Sequence, residues 1–163
     1  MEKVVNLLVG VPINDNKYEE MVSSFLNEKG KHIVCGGTTA NLISKYLNKE
    51  LITDLEYVDL DIPPIFKIEG LDLVTEGAIT LLKVLDYTKK YLNKEINDKN
   101  DGASLIFKEL LENEKINFYI GKSQNLVNKE KWFPKELSDK YIIINKIIAN
   151  LKEMKKTVNC KYY

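Results

Sequence analysis

His32-Ile33-Val34-Cys35-Gly36-Gly37-Thr38-Thr39-Ala40-Asn41 joins a short apolar run to an amphipathic segment through paired glycines and paired hydroxyls. The order is that of a β-strand, a tight turn and a helix start, because β-branched residues suit extended chain and small polar residues suit helix openings. Glycine lets backbone approach a ligand closely, and the free N–H groups of a helix start offer an anion a partial positive charge. The turn therefore predicts a small ligand with a phosphate or carboxylate. Its contacts would be the N–H groups of Gly36, Gly37, Thr38 and Thr39, the two threonine hydroxyls, and Asn41.

Upstream, Val4 to Gly10 reads as a strand stopped by Pro12, and Tyr18, Met21, Val22, Phe25 and Leu26 then recur at helical spacing. Lys29-Gly30-Lys31 closes that helix, and after Ile33-Val34 the residues Ala40, Leu42, Ile43, Tyr46 and Leu47 give a second helix its apolar face. Downstream, Leu55 to Leu60 reads as a third strand, stopped by Pro63-Pro64 because proline cannot donate to a ladder. Thr75 to about Tyr91 reads as a central buried helix carrying Ala78, Ile79, Leu81, Leu82, Val84 and Leu85. A polar connection from Lys94 to Asn100, a helix from Ser104 to Leu111 and a strand from Ile116 to Ile120 follow. Asn125 to Pro134 reads as a surface loop, Tyr141 to Met154 as a long helix, and Thr157 to Tyr163 as a last strand.

Val5-Asn6-Leu7-Leu8-Val9-Gly10 is echoed in pattern by Ile116-Asn117-Phe118-Tyr119-Ile120-Gly121, each followed by a helix and a strand. Alternating strands and helices with long crossovers predict one α/β domain over residues 1–163. Its expected core is a mainly parallel sheet of four or five strands with helices on both faces, a Rossmann-like three-layer arrangement. Ligands of such sheets bind at the carboxyl ends of strands, so the turns at Gly10, Gly36 and Gly121 are expected to share one edge. Glu69-Gly70-Leu71-Asp72-Leu73-Val74-Thr75-Glu76-Gly77 adds Glu69, Asp72 and Glu76, which could contact a ligand hydroxyl or Mg²⁺. The plainer reading of Asp72 and Glu76 is a first helical turn whose acidic residues complement the macrodipole.

Composition narrows the classes. The chain has 163 residues, 44% hydrophobic and 29% charged, with a formal net charge of zero. It contains no arginine, so the forked clamp for phosphates and guanine edges is missing and nucleic acid is not an expected partner. The apolar run from Val4 to Val11 is too short to span a bilayer and carries no basic leader, so no membrane association or export is expected. Cys35 and Cys160 are too few and too far apart for a disulfide framework or a zinc site, which fits a reducing cytoplasm.

Sharper catalytic readings fail on particular residues. Gly121-Lys122-Ser123 resembles the end of a P-loop, but Ile116 stands where that motif needs glycine. Cys35 opens a helix, yet a cysteine phosphatase needs an arginine, and Cys35 reads as a small packed residue. Gly36-Gly37 lacks the third glycine of a dinucleotide fingerprint, and His32 has no obvious partner for acid, base or ligand work. Asn100-Asp101-Gly102-Ala103-Ser104 reads as a turn and helix cap. Catalytic residues and cofactors therefore stay unassigned.

Taken together, Val34 to Asn41, Pro63-Pro64-Ile65 and Glu69 to Gly77 resemble, in order and spacing, the C-terminal region of clostridial SpoIIE-like (stage II sporulation E family) serine phosphatases. The resemblance runs from about Val4 to Tyr163 and includes Asp101-Gly102-Ala103-Ser104 and Ile116 to Gly121. It implies an accessory domain that follows a metal-dependent phosphatase domain, or a free-standing relative with Met1 as its start. It also implies that the chain by itself is no phosphatase, since the paired-metal aspartate motifs belong to the other domain. Lys122-Ser123-Gln124-Asn125 departs from the Arg-Ala-Ile-Asn-Pro segment of such relatives, so no ligand contact carries over from that loop. The expected role is regulatory: sensing a small anion and acting on a serine phosphatase domain in cis or in trans. The alternatives are a metal-dependent enzyme acting on a phosphorylated or nucleotide substrate, and a homodimeric interaction domain without ligand.

Overall fold

The computed structural model describes residues 2–54, 65–95, 101–123 and 140–163. The strand read from Leu55 to Leu60, the Pro63-Pro64 stop, most of the polar connection before Asn100 and the loop read from Asn125 to Pro134 lie outside the described residues. Strand β1 (Val4–Val9) leads through a 3₁₀ turn (Asp15–Lys17) to α1 (Tyr18–Asn27), then to β2 (Lys31–Cys35) and α2 (Gly37–Leu47). Short strands β3 (Ile52–Asp54), β4 (Ile65–Lys67) and β5 (Leu73–Thr75) follow. Helices α3 (Ala78–Leu92) and α4 (Gly102–Glu112), strand β6 (Lys115–Ile120), helix α5 (Lys140–Glu153) and strand β7 (Thr157–Tyr162) complete the order.

These strands form one sheet of seven, in the order β3-β4-β5-β2-β1-β6-β7. From β5 to β7 every neighbouring pair is parallel, and only the pairs made by β4 are antiparallel. The sheet is thus mainly parallel but larger than the four or five strands expected, because β3, β4 and β5 are each 3 residues long. Alternation over so few positions leaves no periodic signal. The helix expected from Thr75 begins only at Ala78; Leu73–Thr75 pairs instead with Ile33–Cys35.

Alternate residues of the central strands feed two apolar clusters. Val5, Leu7, Val9, Ile33, Cys35, Ile116, Phe118 and Ile120 pack with residues of α3, α4 and α5. Leu8, Val34, Val74 and Tyr119 pack with residues of α1 and α2. Helices therefore cover both faces, as strands buried on two sides require. Helix α3 is amphipathic rather than buried all round: Leu81, Val84 and Leu85 face the core, whereas Ile79 is 42% and Leu82 37% exposed. Leu82, expected in the core, is turned outward, and its neighbour Leu81 takes the buried place.

The echo between Val5–Gly10 and Ile116–Gly121 has a spatial basis. Val5 pairs with Ile116, Asn6 with Asn117 and so on to Val9 with Ile120. Matched residues are lateral neighbours and so face the same layer. At one position that layer carries amides: Asn117 Nδ2 donates to Asn6 Oδ1 at 2.9 Å, and Asn159 Nδ2 donates to Asn117 Oδ1 at 3.2 Å. Asn6 Nδ2 donates in turn to the carbonyls of Lys29 at 3.0 Å and Lys31 at 3.1 Å. This ladder crosses three strands and ties their register, since a one-residue slip would turn each amide to the other face.

Candidate functional site

Because β1, β2 and β6 are parallel and end in register, Gly10, Gly36 and Gly121 emerge at one edge of the sheet. The shared carboxyl edge expected for these turns is present. Gly36 has φ 124°, a left-handed conformation that favours glycine, and its N–H donates to the Thr75 carbonyl at 2.8 Å. That bond locks the end of β2 to the end of β5. As a result α2 and α3 start side by side: a Cβ on Gly77 would stand 3.4 Å from Gly36 Cα.

Neither helix has a side-chain cap, since Gly36 and Gly77 occupy the capping positions. The first N–H groups of a helix lack intrahelical partners, so two adjacent uncapped starts concentrate partial positive charge. Thr38 is exposed there, and Thr39 is buried with its Oγ1 3.2 Å from where a Gly36 Cβ would be. Thr38, the residue type that commonly caps a helix, does not cap α2; Gly36 takes that place. Asn41 lies a turn further along α2 and is exposed.

The carboxylates do not converge. Glu76 reaches the helix starts, its Oε1 lying 3.2 Å from the position of a Gly37 Cβ. Asp72 and Glu76 flank an extended strand rather than one helical turn, which separates them by ~13 Å. Asp72 belongs to the opposite, amino edge, where its Oδ2 accepts from the His32 N–H at 2.7 Å. Glu69 lies in the turn at that same edge, highly exposed and 3.9 Å from Lys49 Nζ. Among the described residues no group of three His, Cys, Asp or Glu side chains could hold a metal ion.

Cys35 is enclosed beneath the glycine turn. Its thiol donates to the Glu76 carbonyl at 3.2 Å, and burial pushes its pKa up to about 12. A neutral thiol is a poor nucleophile, so the packed role expected of Cys35 follows from its surroundings. Titration with a thiol-reactive disulfide near neutral pH should therefore modify Cys160 in the folded protein and Cys35 only on unfolding. Equal rates for both thiols in the folded state would contradict the enclosure. His32 is flanked edge-on by Phe25 at 5.0 Å, and its buried Nε2 has no hydrogen-bond partner among the described residues.

The comparisons name no relative. No protein-family model matches the chain, and neither a curated protein nor a solved structure resembles it significantly. Among the described residues, no helix is long and apolar enough to cross a membrane.

One contact at this edge comes from a residue far along the chain. Lys140, the first residue of α5, reaches back to the strand ends, and its Nζ donates to the Ser123 carbonyl at 3.0 Å. Nothing in the linear pattern separates it from the other lysines.

Proposed function

We propose that the chain is a ligand-sensing accessory domain of a SpoIIE-like serine phosphatase, which holds a small oxyanion-bearing molecule where α2 and α3 begin. The observation that carries this reading is the adjacency of two uncapped helix starts at Gly36 and Gly77, on the edge where open parallel sheets take their ligands. The parallel strands, taken in chain order, lie 3-2-1-4-5 across the sheet, which supports the Rossmann-like, three-layer description. Gly36, Gly37, Thr38 and Thr39 supply the anion contacts, and Asn41 borders them. Glu76 acts as a built-in competitor whose carboxylate stands near Gly37 until an anion displaces it. Glu69 and Asp72 take no part. Occupancy would then be read by the phosphatase domain, in cis or in trans.

Calorimetry against nucleotides, sugar phosphates and dicarboxylates tests the site. At least one compound should bind, Glu76→Gln should tighten it about tenfold by removing a like charge, and Thr38→Ala should weaken it by roughly 1 kcal/mol. Binding nowhere in the panel, or binding indifferent to both substitutions, would sink the reading. The interaction-domain alternative would then gain weight, because Ile79 and Leu82 leave an apolar strip on the outer side of α3. The metal-enzyme alternative draws no support from carboxylates lying at opposite edges.

A further inference from the structure

We infer that the cleft between the opening of α1 and the ends of β6 and β7 binds a small apolar amino acid, held by its carboxylate, its ammonium group and its side chain. Strand order reverses between β1 and β6: β2 and β5 extend the sheet on one side, β6 and β7 on the other. Helix α1, which follows β1, packs on the face that carries Leu8 and Tyr119, whereas α5, which follows β6, packs on the opposite face. Such a reversal parts the loops and opens a crevice at the carboxyl ends of the strands, where open α/β sheets take their ligands. Beside that reversal lies a cleft of about 240 Å³. A water takes about 30 Å³ of liquid and a drug-sized ligand fills about 300–1,000 Å³, so the cleft suits a molecule the size of one amino acid.

Backbone pairing builds its walls. Ser123 N–H donates to Val11 O at 2.9 Å, which ties the loop after β1 to the end of β6. Lys122 N–H donates to Tyr163 O and Tyr163 N–H to Ile120 O, both at 2.8 Å, so the end of β7 is held alongside. Lys17 N–H donates to Asn14 O at 3.0 Å and folds the loop into the turn before α1. Among the described residues, Ile13, Tyr162 and Tyr163 give the cleft apolar surface, with Ile13 63% and Tyr162 47% exposed. Side chains this apolar and this open gain by being covered. Lys17, Lys122 and Glu20 line the same cleft and bring charges of both signs. Lys17 and Glu20 pair at 3.3 Å, but their side chains are 52% and 59% exposed, and a surface pair of that kind is weak. Each is therefore available to a ligand at little cost: Glu20 to an ammonium group, the lysines to a carboxylate. A plain anion would leave Glu20 unmatched and a plain amine would leave the lysines unmatched, whereas a zwitterion with an apolar side chain matches both and covers Ile13 and the tyrosines. The cleft stands two to three strand spacings, about 10–14 Å, from the glycine turn and does not rest on it.

The test follows backbone amide signals of the isotope-labelled chain during titration with free leucine, methionine and phenylalanine. At least one should move the Lys122 and Tyr163 signals saturably and leave those of Gly36 and Gly37 in place. The same compound without its amino group, or without its carboxylate, should bind about tenfold more weakly or worse, the scale of a lost hydrogen bond between charged groups. Lys122→Gln should weaken the amino acid by about the same factor, and Glu20→Gln should erase its advantage over the deaminated analogue. Both positions are exposed, and an otherwise unchanged amide spectrum shows that each variant is folded. No saturable shift with any of the three, equal affinity for the amino acid and its deaminated analogue, or shifts confined to Gly36 through Thr39 would overturn the inference. A silent calorimetric panel of nucleotides, sugar phosphates and dicarboxylates would sink the glycine-turn site and leave this one standing, because it contains no zwitterion of this kind.

Discussion

Asn6→Ala is expected to destabilise the fold by about 2–3 kcal/mol, the scale of one buried amide losing its acceptor together with two part-buried hydrogen bonds. Asn6 is fully buried and serves three hydrogen bonds: it donates to the Lys29 and Lys31 carbonyls and accepts from Asn117. Alanine would leave the buried Asn117 amide without its acceptor and would strip the Lys29 and Lys31 carbonyls, which belong to exposed residues, of a part-buried donor. The cost should fall toward the edge of the sheet, because Asn159 is exposed and water can replace its bond to Asn117. Asn159→Ala should therefore cost under about 1 kcal/mol. Urea denaturation of the two variants, with unchanged slopes, measures the gradient. Equal and small losses at both positions would mean that the ladder does not hold the register.

The ladder also shows what could and could not be read from the chain. The asparagines of β1 and β6 were visible as an echo, because two strands buried on the same two faces must repeat the same alternation. Long elements with a clear period, such as α1, α2, α4 and α5, announced themselves. Two kinds of feature did not. Strands β3, β4 and β5 are too short for a period, so Thr75, the last residue of β5, read as the start of a helix and Asp72 and Glu76 as its acidic first turn. Helix α3 has apolar residues around so much of its girth that its facing was ambiguous, and a 100° step decides between Leu81 and Leu82. The glycine turn was legible as a place because glycine, threonine and a helix start are local signals. The contact of Lys140 with the Ser123 carbonyl was not, since it depends on a fold-dependent meeting of distant segments.

Asp101→Ala is expected to cost about 2–4 kcal/mol, combining a lost helix cap with a buried phenol left without its acceptor. The Asp101 side chain is buried and both its oxygens are used: Oδ1 accepts from the Ser104 N–H at 2.7 Å, and Oδ2 from the Tyr87 hydroxyl at 2.7 Å. One carboxylate thus starts α4 and fastens it to α3, which makes the residue structural rather than catalytic. The pair also fixes an alkaline limit. Burial, then the hydrogen bond and charge of Asp101, push the Tyr87 phenol well above its ordinary value of about 10. Below about pH 10 folded and unfolded chains both keep that proton, so the contribution is fully present; as pH rises further the unfolded chain loses it first and stability falls. Tyr18 and Tyr119, both pushed by burial to about 12, act in the same direction. Tyr87→Phe should therefore reduce the alkaline slope without abolishing it, while leaving Asp101 Oδ2 unpaired at a neutral-pH cost of about 1–3 kcal/mol. Denaturation midpoints collected from neutral to strongly alkaline pH separate the two effects. If Tyr87→Phe and Asp101→Ala both left the neutral midpoint unmoved, the carboxylate would not be the fastening between α3 and α4.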